Sequence, residues 1–135
     1  MLVTGCQSLN NGKLSYNMTQ SVSRSGGDVA MTALLDEGID AGKAREYVAA
    51  LTKFVEKGDI DKTALRQACL SIADKLKLTG VAEYIDALMI IIPGEIGEYQ
   101  KIPEKYRIAL VSFLRDGATR ALDLYKADEK PVHEG

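Results

Sequence analysis

The sequence contains no tryptophan, one histidine and two cysteines among its 135 residues. Nucleophilic systems of the Ser–His and Cys–His type need a base held in a cleft, and the single candidate, His133, lies in a charged C-terminal segment. A zinc site built from histidine and cysteine is equally unsupported. We therefore expect a protein that is not an enzyme and that holds neither a metal nor another cofactor.

The chain also lacks a strong charge of either sign and any long apolar run. A formal net charge of −2 provides no basic surface for phosphates, so we expect no nucleic-acid partner. The longest apolar stretch, residues 87–93, is far shorter than the roughly 20 residues that a membrane-spanning helix needs. Carboxylates occur near Pro103 and on the last helical segment (Glu95, Glu98, Glu104, Asp116 and Asp123), and we interpret them as solvated surface acids rather than a catalytic pair.

Helical periodicity dominates the sequence from Asp28 onward. Apolar residues make up 46% of the chain, and a chain of this length buries a core without disulfides or metal. Three segments begin at an aspartate suited to an N-cap and end at a glycine suited to a C-terminal cap: Asp28 to Gly38, Asp40 to Gly58, and Asp61 to Gly80. Within them, apolar residues recur at spacings of three and four, which predicts amphipathic helices.

Two further helices are predicted in the C-terminal half. The segment Val81 to Pro93 is apolar nearly all round, so it is either the central helix or a helix with a second apolar face for a partner. In the second case Met89, Ile90 and Ile91 are the candidate partner-binding residues. The last helix begins at Pro103, and Gly117 in its middle permits the close approach of another helix.

These elements predict an all-α fold, an antiparallel bundle of four to five helices. The bundle domain covers residues 28–127, and a frayed tail covers 128–135. Residues 6–27 are rich in Ser, Asn, Gln and Gly and predict a flexible tether. A disulfide between Cys6 in that tether and Cys69 in a helix is not indicated, because the two positions look structurally unrelated.

The stretch Val3-Thr4-Gly5-Cys6 resembles the lipobox of bacterial lipoproteins, with an apolar residue, a small residue and glycine before the cysteine. The resemblance implies cleavage between Gly5 and Cys6, so that residues 1–5 are the remnant of a lipoprotein signal peptide. It further implies that Cys6 carries diacylglycerol on sulfur and an acyl chain such as palmitate on its amino group. Because Gln7 is not aspartate, it implies the outer membrane, facing the periplasm.

From these features we expect a small non-enzymatic envelope lipoprotein, anchored in the bilayer through acylated Cys6, whose helical domain binds an envelope protein. Pilotins and phage superinfection-exclusion lipoproteins are analogies of class only. The alternative is a cytoplasmic helical adaptor or regulator with unmodified Cys6. A third hypothesis is an enzyme or small-ligand carrier with a bundle cavity lined by Tyr47, Tyr84, Tyr106 and Met89.

Overall fold

The computed structural model describes residues 22–125, and this part of the chain consists of helices and loops without any strand. The helices are α1 (residues 22–36), α2 (Ala41–Glu56), α3 (Lys62–Lys75), α4 (Ala82–Met89) and α5 (Glu104–Val111). Helix α5 continues through a π-helical segment, Ser112–Gly117, into α-helical residues 118–125, and we call this whole element the C-terminal helix. The predicted all-α bundle is confirmed.

Several sequence predictions concern residues outside the described range. They are the signal-peptide remnant 1–5, Cys6, the tether as far as residue 21, His133 and the frayed tail 128–135.

Helix α1 includes residues 22–27, which the sequence assigned to the tether. Asp28 is therefore not an N-cap but lies inside the helix, where its carboxylate pairs with Arg120 of the C-terminal helix at 3.1 Å. The reason is tertiary packing: Gly26 and Gly27 lie directly on the C-terminal helix, next to Phe113. That contact outweighs the low helix propensity of the glycines.

The predicted N-caps of α2 and α3 are confirmed. The Asp40 carboxylate accepts a hydrogen bond from the backbone N–H of Lys43 at 2.9 Å, and Asp61 accepts one from Ala64 at 2.8 Å. Gly38 and Gly58, which follow α1 and α2, have positive φ angles of 101° and 96°, as expected for glycines that end helices.

The sequence predicted that the third helix extends to Gly80, but α3 ends at Lys75. Lys77 ends it by adopting a left-handed conformation with φ of 59°. The N–H of Leu78 donates to the carbonyl oxygen of Ala73 at 2.8 Å, which is the long bond of a Schellman motif. A lysine thus occupies a backbone position that glycine normally fills.

Helix α2 packs against α3, against α5 and against the π-helical segment, and α4 packs on α3. Helix α4 also faces α1 across the groove described below. It buries Tyr84, Ile85 and Leu88, whereas Ile90 directly after it is exposed. The most deeply buried side chains come from every helix and include Met31, Leu51, Val55, Leu65, Leu88, Leu110 and Leu114.

The connection between α4 and α5 is fastened to the bundle, although its glycines and proline suggest a simple linker. Its isoleucines Ile92, Ile96 and Ile102 are buried. The N–H of Ile102 also donates to the carbonyl oxygen of Ile60 at 2.9 Å. Pro103 is the N-cap of α5 rather than its first residue.

The expected close approach at Gly117 is confirmed, and its partner is Gly27 of α1. A Cβ atom added to Gly117 would lie 2.8 Å from the Cα of Gly27 and would collide with the carbonyl oxygen of Arg24. A Cβ added to Gly27 would collide with the carbonyl oxygen of Phe113. This backbone contact fixes α1 on the bundle and so positions the groove described next.

Candidate binding groove

An open groove with a volume of about 640 Å³ lies between α1 and α4. Its lining is mostly apolar, and the residues deepest in it are Leu34 and Tyr84, which are both buried. Along its edge Val22 and Val29 are 65% and 70% exposed. Because both valines lie on one face of α1 and adjoin the apolar lining, this edge is a candidate contact surface.

Small side chains keep the groove open. On α1 they are Gly26, Ala30 and Ala33, spaced by three and four residues, and on α4 Ala87 faces them. Residues at this spacing share one face of a helix. Because none of them extends beyond a methyl group, α1 and α4 do not fill the space between them.

One end of the groove is acidic. Glu37, directly after α1, and Glu83, in the first turn of α4, both line it. A Cβ added to Gly80 would lie 4.0 Å from the Glu37 Oε1 atom, so the end of α1 adjoins the start of α4. Within residues 22–125 neither carboxylate has a basic partner within 4.0 Å. One end of the groove therefore carries two negative charges that have no salt-bridge partner among the described residues.

The helix dipoles act differently on the two acidic residues. Glu83 lies at a helix N-terminus, where negative charge is favourable. Asp36 and Glu37 lie at the C-terminal end of α1, where the helix dipole favours cations and an acid costs about 0.3–1 kcal/mol. Glu37 is thus disfavoured by the dipole of its own helix, while its carboxylate adjoins the start of α4, where negative charge is favourable.

The predicted partner-binding residues lie just beyond the groove. Ile90 is 78% exposed, whereas Met89 and Ile91 are half-buried and pack against the core. Ile90 and Ile91 follow Ala87 by three and four residues, so they continue the α4 line of the groove away from its acidic end. The groove residues of α1 were missed because Val29 and Ala33 look like core positions. The available signal was that apolar residues of α1 surround the helix instead of forming one stripe.

The four residues of the predicted tyrosine-lined cavity do not surround a common space. Tyr47 and Tyr84 meet in the core with ring centroids 6.3 Å apart, and the Tyr84 ring lies 5.2 Å from that of Phe113. Desolvation raises the pKa of both phenols, so they stay protonated. Tyr106 and Met89 are half-buried and pack at the margin of the core. Tyr84 alone joins the candidate groove, as part of its floor.

Cys69 is a core residue with no accessible thiol. Its carbonyl oxygen accepts a hydrogen bond from the Tyr47 hydroxyl at 3.0 Å. Burial raises the pKa of its thiol to about 11, which removes the thiolate needed for reactivity. We assign Cys69 to packing.

The carboxylates expected to be solvated include three in ion pairs. Asp123 pairs with Arg45 at 2.8 Å, and Asp116 pairs with Arg115 at 3.1 Å. Glu98 binds Arg66 at 2.9 Å. Hydrogen bonds from Arg66 and then Thr63 lower the pKa of Glu98.

Within residues 22–125 no group of three His, Cys, Asp or Glu side chains is placed to hold a metal ion. In the same range no helix is both long and apolar enough to cross a membrane.

The fold and its groove define a class: an all-α bundle with an open apolar groove along one edge, acidic at one end. No protein family, curated protein sequence or solved structure matches this chain.

Proposed function

We propose that this protein is a small, non-enzymatic lipoprotein of the bacterial envelope that binds a helix of a partner protein in the groove between α1 and α4. Acylated Cys6 holds it at the outer membrane, facing the periplasm. The anchor rests on the likeness of residues 3–6 to a lipobox. The binding role rests on one observation, the exposed apolar groove with Val22 and Val29 along its edge.

The dimensions of the groove suit a helix. Its α1 side runs from Val22 to Glu37, which is about 22 Å at 1.5 Å per residue, or roughly four helical turns. The small residues Gly26, Ala30, Ala33 and Ala87 along its sides let the ridge of a third helix pack between α1 and α4. Burying the two valines under a ligand contributes about 25 cal/mol of favourable binding free energy for each Å² of apolar surface removed from water. Binding of an amphipathic helix in a groove is a common mode of peptide recognition.

The polar residues of the groove disfavour other ligands. Among the described residues that line it, the charged ones are Glu37 and Glu83, which are both acidic. Nucleic acids and phosphorylated metabolites would bring phosphate next to these carboxylates, which is unfavourable.

Photo-crosslinking in the producing cell tests the groove. A photoreactive amino acid at Ala33, inside the groove, should give one discrete protein adduct that disappears when Val29→Asp is added. The matched control is the same probe at Leu70, an exposed apolar position on α3 that is 57% accessible and outside the groove. Equal labelling from both positions, or labelling that survives Val29→Asp, would contradict the proposal.

Mass spectrometry of the protein purified from its own cell tests the anchor. We expect Cys6 as the N-terminal residue with the mass of its acyl chains, recovery in the outer-membrane fraction, and loss of both in a Cys6→Ser variant. A bare thiol at Cys6 would overturn the envelope assignment and favour the cytoplasmic adaptor.

A further inference from the structure

We infer that the groove selects a helix that carries lysine or arginine at its N-terminal end and binds with that end between Glu37 and Glu83. This inference rests on the proposed function, because it names the chemistry and direction of the helix that the groove takes.

The groove has a direction. At one end, where α1 finishes and α4 starts, lie Glu37, Gly80 and Glu83. Toward the other end the α1 lining is Val22 and Gly26, and α4 leads through Ala87 to exposed Ile90. A ligand with one basic end and one apolar end therefore fits in one orientation only.

An occupant that covered the acidic end without a cation would be penalised. Glu37 and Glu83 have no ion-pair partner within residues 22–125, so their charges depend on water. Removing that water without supplying an opposite charge is costly. A lysine or arginine of the ligand supplies that charge together with hydrogen bonds.

The position of Glu37 points the same way. It follows the C-terminus of α1, where a carboxylate opposes the dipole of that helix, and its Oε1 atom lies 4.0 Å from the position of a Cβ added to Gly80, just before α4. A ligand helix running antiparallel to α1 would place its own N-terminus here, which carries about half a positive charge. The dipole and a basic side chain at that N-terminus then act on the same two carboxylates.

The same charges argue against a lipid occupant. An acyl chain fits an apolar groove by volume, but a fatty acid or an anionic phospholipid would bring a negative head group to Glu37 and Glu83, or leave both acids without a counterion. A helix with a basic end satisfies both the apolar walls and the acidic end.

The test uses the full chain and three fluorescent synthetic peptides of about four helical turns with one shared apolar stripe. The first has two lysines in its N-terminal turn, the second has them in its C-terminal turn, and the third has two glutamates in its N-terminal turn. We expect the first peptide to bind at least about tenfold more tightly than the others by anisotropy, a difference of about 1.4 kcal/mol. High salt should reduce this preference.

Neutralising variants distinguish the effect of Glu37 and Glu83 from the effect of the overall charge of the protein. Glu37→Gln with Glu83→Gln should make the first two peptides bind equally. The matched control, Glu46→Gln with Asp74→Asn, removes the same charge at exposed positions outside the groove and should leave the preference intact. Glu37→Lys with Glu83→Lys should transfer the preference to the glutamate peptide. This gain of binding shows that the variant is folded.

Other outcomes distinguish the two proposals. If all peptides bind equally in a manner that Val29→Asp abolishes, the groove binds helices and the inferred selectivity is wrong. If no peptide binds, both proposals fail. If laurate binds and Val29→Asp abolishes its binding, the occupant is a lipid chain and the inference is overturned.

Discussion

Gly27 of α1 and Gly117 of the C-terminal helix cross in backbone contact, with room for no side chain between them. The crossing lies where the π-helical segment Ser112–Gly117 ends and α-helical geometry resumes. Since Gly26, next to this contact, also lines the groove, the crossing sets the position of the groove wall formed by α1.

Replacing Gly117 with alanine should destabilise the protein by about 2 kcal/mol or more. In an ordinary helix interior the same change stabilises by about 1 kcal/mol. Here the new Cβ meets the backbone of Arg24, Gly27 and Asp28, which cannot move without displacing α1. Urea denaturation provides the measurement.

Gly26→Ala is the matched control, because its Cβ would make an ordinary contact of 3.7 Å with the Phe113 ring. We expect it to be neutral or stabilising by up to about 1 kcal/mol. Equal stability of the two variants would show that the crossing is not tightly packed.

Replacing Lys77 with glycine should stabilise the protein by about 0.5–1 kcal/mol. The left-handed conformation of Lys77, with φ of 59°, is strained for a residue with a Cβ and free of strain for glycine. Lys75→Gly, in the last turn of α3, is the control and should instead cost about 1 kcal/mol. Thermal unfolding of the two variants should shift in opposite directions, and a shift in the same direction would contradict the prediction.

The core tyrosines should respond differently to loss of the hydroxyl. Tyr47→Phe removes the hydrogen bond to the Cys69 carbonyl and should cost about 1 kcal/mol. Tyr84→Phe should be neutral or slightly stabilising, because among the described residues the Tyr84 hydroxyl has no hydrogen-bond partner. Chemical denaturation of both variants under one condition measures the difference. A larger loss for Tyr84→Phe would show that its hydroxyl is satisfied.

Glu98→Gln should lower stability at pH 7 and have a diminishing effect in acid. Arg66 and Thr63 depress the pKa of Glu98 below its ordinary value of 4.5, so the folded state prefers the ionised form. This contribution is complete above pH 4.5 and is lost as the pH falls through the lowered native pKa. Melting curves of both proteins from pH 7 downward should therefore converge. The effect is modest because the pair is exposed, and a gap independent of pH would contradict the assignment.

Sequence reasoning succeeded where the signal is local. The caps at Asp40 and Asp61 depend on a side chain and an amide three residues away, so the sequence predicts them directly. It failed at Asp28 because the start of α1 depends on Gly27 meeting Gly117, a contact far apart in the chain. It failed at the end of α3 because a lysine in the sequence does not indicate a left-handed backbone conformation such as that of Lys77.

The groove itself was only half accessible to sequence reasoning. Apolar residues in excess of one stripe on α4 pointed to Ile90, which is exposed. In the sequence, Val29 and Ala33 of α1 show the same helical spacing as the buried apolar residues around them. Only the placement of α1 beside α4 shows that their side chains line an open groove. The acidic end required the same information, since Glu37 and Glu83 lie far apart in sequence.

The Gly27–Gly117 crossing also has a mechanical consequence. Val22 is the first described residue of α1, so a pulling force applied at Val22 acts directly on α1. Close backbone contact at the crossing, the buried side chains Met31, Leu34 and Leu35, and the Asp28–Arg120 ion pair all resist such a force. A ligand that bridges α1 and α4 would act as a clamp and raise the force at which α1 detaches, whereas pulling α1 away would dismantle the groove and eject its ligand.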